Sequence, residues 1–153
     1  MFLYKRKAYY HETDKMGVVH HSSYVKWMEE TRAEFVDSVG LSSRKLDEEG
    51  LLCPVAGLTV DYKKPVEFMD EVEIRLYITE YDGTLLSLRY DFFNRGTLCT
   101  QATSKHFYIK NGWLASLKKE APELDAILKR LAVEDRAIAQ GPANQKTDRE
   151  GDS

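Results

Sequence analysis

One run of residues carries its apolar side chains at spacings of three and four. Such a stripe is typical of an amphipathic α-helix with one buried face. Ser22 or Ser23 can cap its start, and Gly40 can end it. Because the stripe contains large aromatic side chains, we expect this helix to lie deep in the core. The stripe consists of Tyr24, Trp27, Met28, Thr31, Phe35 and Val39.

Strands are predicted on both sides of this helix. Residues 2–10 alternate apolar and basic side chains, which predicts a first strand whose Lys5, Arg6 and Lys7 face solvent. Strict alternation continues from Val72 to Ile78 and from Leu86 to Phe92, and is typical of strands with one buried face. The predicted turns are Asp82-Gly83, Asn94-Arg95-Gly96 and Asn111-Gly112, and the other predicted strands are 55–62 and 97–110.

Two further helices complete the predicted elements. A short one fits Ser42 to Gly50, and a C-terminal one begins near Pro122. Tight turns make consecutive strands antiparallel neighbours, and their apolar face needs a partner. We therefore predict an α+β fold, with an antiparallel sheet of about five strands wrapped around one long central helix. Residues 1–133 form the predicted domain, and 141–153 form a tail predicted to be disordered.

Composition and charge narrow the class of protein. The 153 residues are 42% hydrophobic and 31% charged, which indicates one soluble globular domain. A net charge of −3 without a long basic run argues against nucleic-acid binding. The N-terminal residues lack the apolar core of a signal peptide, and no apolar run is long enough to span a bilayer. Cys53 and Cys99 are expected to be free thiols, and we expect the protein in the cytoplasm.

Asp14 is the leading candidate for chemistry. It lies on a loop with Gly17, shortly before the long helix begins. The first N–H groups of a helix can bind a developing oxyanion, and a nearby carboxylate can activate water or attack directly. Val18 and Val19 can exclude water from one wall of such a site. This arrangement is compatible with several hydrolases.

Other polar residues are weaker candidates for chemistry. Adjacent His20 and His21 are expected to point in different directions, so no metal site is predicted. Glu29 and Arg32 have the spacing of a surface ion pair on a helix, and His106 is expected to be structural. No serine elbow or nucleotide-binding loop is present in the sequence.

The segment from Tyr10 to Arg32 resembles the 4-hydroxybenzoyl-CoA thioesterase-like branch of the hotdog-fold superfamily. The matching pattern is Glu12-Thr13-Asp14, Gly17-Val18-Val19, His21 and Tyr24, followed by Glu29 and Arg32. The chain departs from the pattern at Lys15-Met16 and at His20, which is usually Tyr or Phe. These departures lie where the resemblance places the acyl group.

The resemblance implies an acyl-CoA thioesterase with a hotdog fold. Asp14 matches the catalytic carboxylate, the backbone N–H near His21 matches the group that polarises the thioester carbonyl, and Tyr24 matches a residue of the same site. Asp14 is expected to act as general base or as nucleophile. The alternatives are a thioesterase for acyl-carrier protein and a non-catalytic acyl-CoA sensor or carrier.

Substrate contacts and assembly are also expected from the resemblance and from charge. The predicted substrate-binding residues are Gly17, Val18, Val19, His20, Lys63, Lys64 and Arg95, the last three as contacts to CoA phosphates. No cofactor is expected, since coenzyme A is part of the substrate. Exposed sheet edges and the resemblance both predict a homodimer or homotetramer, without nucleic acid or integral membrane contact.

Overall fold

The computed structural model describes residues 1–40 and 43–139. Five strands form one antiparallel sheet in the order β1-β4-β5-β6-β3, and three short strands form a second sheet in the order β2-β7-β8. In chain order the strands are β1 (Phe2–Lys7), β2 (Leu51–Leu52), β3 (Val55–Tyr62), β4 (Glu71–Tyr81), β5 (Leu85–Asn94), β6 (Thr97–Phe107), β7 (Ile109–Lys110) and β8 (Trp113–Leu114). The predicted five-stranded antiparallel sheet is confirmed.

Four α-helices and one 3₁₀ turn are the other regular elements of the described residues. They are α1 (His21–Ser38), α2 (Ser43–Glu48), α3 (Leu117–Glu120) and α4 (Pro122–Ala139), and a 3₁₀ turn (Tyr10–Glu12) precedes α1. The first strand therefore ends earlier than predicted, and α4 continues beyond the predicted domain boundary at residue 133. The predicted cap at Ser42 and the predicted tail 141–153 lie outside the described residues. No helix within the described ranges is both long and apolar enough to cross a membrane.

Two of the three predicted hairpin turns have the predicted tight form, whereas Asp82-Gly83 belongs to a longer connection, since Tyr81 pairs with Leu86. Arg95 and Gly96 both have positive φ between the paired residues Asn94 and Thr97, as a two-residue turn that matches strand twist requires. Asn111 and Gly112 repeat this geometry between β7 and β8. These turns fix the register that places alternate residues of the strands on one buried face.

Helix α1 packs across the buried face of the five-stranded sheet. Trp27 and Met28 are fully buried. The Tyr24 ring lies 5.6 Å from the ring of Phe92 on β5, and Phe35 lies 5.7 Å from Phe2 on β1. The stripe predicted from sequence is thus the face that α1 presents to the sheet.

Helix α4 is as long as α1, at 18 residues each. It packs along β4 and uses two buried acids to bind that strand. Asp135 Oδ2 accepts the Ile78 N–H at 2.9 Å, where the pairing of β4 with β5 shifts register. Tyr81 donates its hydroxyl to Asp125 at 2.6 Å. The sequence predicts one long central helix, whereas the described residues form two helices of equal length, α1 and α4.

Strand β3 forms one edge of the sheet and leaves several apolar side chains exposed. Val55, Leu58 and Tyr62 have exposed fractions of 48%, 41% and 48%. Its outer N–H and C=O groups have no neighbouring strand in the described chain. Such an edge is a surface on which another strand can pair.

Candidate active site

The loop between β1 and α1 folds into a narrow hairpin around Asp14. The Asp14 N–H donates to the Val18 carbonyl at 2.8 Å, and the Gly17 N–H donates to the Asp14 carbonyl at 3.1 Å. Gly17 has φ +78°, a conformation that glycine adopts without strain. The Val19 N–H donates to the Val66 carbonyl at 2.7 Å, so the hairpin is attached to the segment after β3.

The Asp14 carboxylate is half-buried at this hairpin. Its Oδ1 accepts the Met16 N–H at 2.8 Å, which fixes the direction of the side chain. Within residues 1–40 and 43–139, Oδ2 has no hydrogen-bond or ion-pair partner. One oxygen is therefore held in place while the other is available to water or to a ligand.

Helix α1 begins seven residues later in the chain, at His21. The sequence predicted a cap at Ser22 or Ser23, and this is wrong. His20 is the capping residue, since its Nδ1 accepts the Ser22 N–H at 3.2 Å. Ser23 uses its hydroxyl to donate to the Glu12 carbonyl at 3.1 Å.

The His21 N–H is the free donor at this helix start. The neighbouring Ser22 and Ser23 N–H groups both donate to His20, through its ring and its carbonyl respectively. The His21 N–H has no acceptor in the described part of the chain. The Tyr62 hydroxyl donates to the His21 carbonyl at 2.9 Å, which ties this residue to β3. An unpaired N–H at the positive end of a helix can bind an anionic oxygen.

Glu12 connects the Asp14 hairpin to this helix start. Its carbonyl accepts both the His20 N–H at 2.8 Å and the Ser23 hydroxyl. Its buried carboxylate accepts two bonds of 2.7 Å from Arg6 and one of 2.7 Å from the Trp27 indole. The acid and the free N–H are thereby supported by one residue.

Burial alone would raise the pKa of Glu12. Hydrogen bonds from the Tyr9 N–H, Trp27 and Arg6 outweigh burial and hold the pKa of Glu12 below its usual value. Glu12 is therefore an ionised structural residue at neutral pH. The prediction that Arg6 faces solvent is wrong, since only 14% of its side chain is exposed. The sequence feature that could have identified Glu12 as part of the site is its place in the Glu12-Thr13-Asp14 motif.

Tyr24 lies beneath the helix start and not at its surface. Only 2% of it is exposed, and its ring packs against those of Trp27, Tyr62 and Phe92 at 5.2–5.6 Å. Burial raises the pKa of Tyr24 to about 12. The structure thus gives Tyr24 a packing role, and a role in chemistry stays a prediction.

His20 and His21 contact each other. Their ring centroids are 4.0 Å apart, so the expectation that the side chains point in different directions is wrong. In the described ranges, no three His, Cys, Asp or Glu side chains are grouped as a metal site requires.

Of the two valines after Gly17, Val18 is half-buried and Val19 belongs to the hydrophobic core. Val18 is therefore the one of the pair that can contact a ligand at the surface of the hairpin.

The three basic residues predicted to bind phosphates differ in their partners. Lys63 pairs with Asp61 at 3.0 Å, and Arg95 lies 3.5 Å from Asp70. Lys64 is exposed and has no ion-pair partner among the residues described. The Lys63 and Lys64 N–H groups both donate to the Cys99 carbonyl at 2.9 Å, so their backbone positions are fixed.

Known proteins are similar to this chain in sequence and fold. Residues 10–131 match the thioesterase-like superfamily. Acyl-CoA thioester hydrolase YbgC from Escherichia coli O6:H1 is 34% identical over 103 residues, which are 67% of this chain and 77% of that protein. The structure of DHNA-CoA thioesterase from Staphylococcus aureus has a TM-score of 0.82 and 27% identity, covering 86% of this chain and 91% of that chain.

A crystal structure of a hypothetical protein from Aquifex aeolicus is also similar. Its TM-score is 0.77 at 34% identity, and the alignment covers 81% of this chain and 98% of that chain. The family match includes the Asp14 hairpin, all of α1 and most of the sheet. This chain belongs to the thioesterase-like superfamily, the hotdog-fold family that its sequence motif indicated.

Proposed function

We propose that this protein hydrolyses the thioester bond of an acyl-CoA at the site formed by Asp14 and the start of α1. Thioester hydrolysis as a reaction class follows from the family to which the chain belongs. The observation that carries the assignment is the combination of two free groups, the His21 N–H and Asp14 Oδ2. Glu12 supports both the Asp14 hairpin and the start of α1.

The proposed site divides the reaction between these two groups. The thioester carbonyl oxygen accepts the His21 N–H, which stabilises the negative charge that develops as the carbonyl carbon is attacked. Asp14 Oδ2 either removes a proton from the attacking water or attacks the carbon itself. When water attacks, the carbon–sulfur bond then breaks, the CoA thiolate takes up the proton, and the acyl group leaves as a carboxylic acid. When Asp14 attacks, breakage of the carbon–sulfur bond leaves a mixed anhydride on Asp14, and water then hydrolyses this anhydride to the carboxylic acid and restores Asp14.

The substrate is proposed to approach across the hairpin. Gly17, Val18 and His20 border the helix start and are proposed to contact the acyl group or the pantetheine arm. For the CoA phosphates, Lys64 is the strongest candidate because it lacks an ion-pair partner. The named relatives act on acyl-CoA in one case and DHNA-CoA in another. Both aliphatic and aromatic acyl groups are therefore candidates here.

Self-association through the β3 edge is part of this proposal. The exposed apolar side chains of β3 favour pairing with the same strand of a second copy. Tyr62 at the end of β3 contacts the His21 carbonyl, so this interface would border the site. We expect a dimer by light scattering, and Leu58→Lys should shift it to monomer. A monomeric wild-type protein at micromolar concentration would refute the dimer.

A thiol-release assay tests the function. We expect turnover of at least one member of a panel of aliphatic and aromatic acyl-CoAs. Matched thioesters of acyl-carrier protein separate the two substrate classes, because only a CoA enzyme prefers the free CoA thioester. Tight acyl-CoA binding without thiol release across the panel would instead identify a sensor or carrier.

A further inference from the structure

A cavity lies beneath the C-terminal half of α1. Its volume is about 380 Å³, within the range of small-molecule sites. Arg32 lies eleven residues from His21, or about 16 Å along a helix. Asp14, Gly17, His20 and His21 do not line it. Its apolar walls include Phe35, Val36, Leu86, Leu88, Leu124 and Leu128.

Arg32 places a positive charge on the wall of this cavity. It is half-buried, and its Nη1 donates to the Tyr90 hydroxyl at 3.1 Å. The predicted ion pair with Glu29 is not formed, and no carboxylate in the described chain lies within ion-pair distance of Arg32. A guanidinium has five N–H donors, so most of them are left for a ligand.

A buried chain of neutral groups holds Arg32 in this position. The Tyr90 hydroxyl bonds to Ser104 Oγ at 2.8 Å, and Ser104 Oγ bonds to His106 Nε2 at 2.7 Å. Burial, and next the charge of Arg32, lowers the pKa of His106 to about 4. His106 is therefore neutral at pH 7, and among the described residues that line the cavity Arg32 keeps the only positive charge.

We infer that this cavity binds a small monocarboxylic acid with an apolar body, its carboxylate paired with Arg32. Arginine binds carboxylates through two parallel hydrogen bonds, and the apolar walls match a hydrocarbon or aryl group. Glu29 and Asp47 also line the cavity, but both are exposed, so water screens their repulsion of an anion more than it screens Arg32. The site is separate from Asp14 and does not depend on the proposed hydrolysis.

Cys53 provides a readout for this cavity alone. Its side chain lines the cavity and the residue is exposed, whereas Cys99 is buried; burial raises the pKa of the Cys53 thiol to about 11, so alkylation is followed at alkaline pH. Octanoate is a suitable probe, and peptide mapping after iodoacetamide treatment reports the alkylation rate of Cys53. We expect octanoate to slow this alkylation in wild type and equally in Asp14→Asn, which separates the cavity from the proposed active site.

Charge variants test the role of Arg32. Arg32→Gln should weaken protection by octanoate about tenfold or more. Glu29→Gln should strengthen it, because a like charge is removed. The matched control is Arg44→Gln, which removes an exposed arginine of α2 and should leave protection unchanged. Near-UV circular dichroism checks that each variant is folded.

Two results would overturn the inference. Octan-1-ol protecting Cys53 as well as octanoate would show a purely apolar cavity. Absence of protection by octanoate in the wild type would show that the cavity does not bind this class of acid, whatever the behaviour of the Arg32 variant.

Discussion

The guanidinium of Arg6 donates a hydrogen bond of 2.7 Å to each carboxylate oxygen of Glu12. Arg6 lies on β1 and Glu12 ends the 3₁₀ turn before Asp14, so this ion pair joins the sheet to the candidate catalytic hairpin. Because both partners are largely removed from water, the geometry is held more firmly than by a surface pair.

Replacing Glu12 should therefore damage positioning as well as stability. Glu12→Gln is expected to lower the free energy of unfolding by about 2 kcal/mol, because Arg6 loses its buried counter-ion. It should also lower kcat about tenfold while KM changes little, because the backbone of Glu12, which supports the Asp14 hairpin and the start of α1, loses its ionic anchor to Arg6. Urea unfolding and steady-state kinetics measure the two effects.

The matched control is Glu30→Gln. Glu30 also binds Arg6, at 3.0 Å, but 36% of its side chain is exposed. Its loss should cost less than about 1 kcal/mol and leave kcat unchanged. Equal effects of the two variants on kcat would contradict a positioning role for Glu12.

Stability should depend on pH through His106. Its pKa is 6.5 when unperturbed and about 4 in the folded chain, where burial and then Arg32 oppose protonation. The unfolded state therefore binds a proton between these two pH values that the folded state does not. The resulting stability is present above pH 6.5 and is lost as pH falls toward 4, by up to about 3 kcal/mol.

Urea unfolding between pH 7 and roughly pH 5 isolates this effect, because most carboxylates titrate at lower pH. In His106→Gln, the free energy of unfolding should change little between pH 7 and roughly pH 5. The matched control is His11→Gln, which removes an exposed imidazole. A wild-type slope retained in His106→Gln would show that other groups cause the loss.

Asp14→Asn should remove most turnover without disturbing the fold. The amide can still accept the Met16 N–H through its oxygen, so the hairpin is expected to keep its shape. It can neither take a proton from water nor form a mixed anhydride. Single-turnover kinetics and acyl-CoA binding by calorimetry measure the loss and the retained affinity. Near wild-type hydrolysis would remove Asp14 from the mechanism.

Much of the fold was predictable because it depends on local signals. Alternation along β4 and β5 and the turn residues Arg95-Gly96 and Asn111-Gly112 specify antiparallel pairing within short stretches of chain. The stripe on α1 likewise marks its buried face. The helix cap was mispredicted because serine is the commoner cap, whereas here the His20 ring accepts the bond.

The site was predictable only where residues are close in sequence. Asp14, Gly17 and His21 fall within one motif, so the resemblance found them. The pairing of Arg6 with Glu12 and the contact of Arg32 with Tyr90 depend on how strands and helix meet in three dimensions. Spacing along the chain carries no signal for such contacts. Sequence alone therefore predicts a solvent-facing Arg6 and an ion pair between Arg32 and Glu29, and the structure has neither.

The His21 N–H can be removed selectively, because His21 is the first residue of α1. Proline is well tolerated at this position, and His20 already has the extended conformation that a residue before proline requires, with φ −64° and ψ 141°. His21→Pro therefore deletes the proposed oxyanion donor with little expected change in fold. His21→Ala is the matched control, since it removes the side chain and keeps the N–H.

The kinetic comparison of these two variants tests the proposed mechanism most directly. We predict that His21→Pro lowers kcat/KM about 10²–10³-fold relative to His21→Ala, with both variants folded by circular dichroism. Similar kcat/KM values for folded His21→Pro and His21→Ala would contradict the account, because catalysis would then proceed without the helix N-terminal donor.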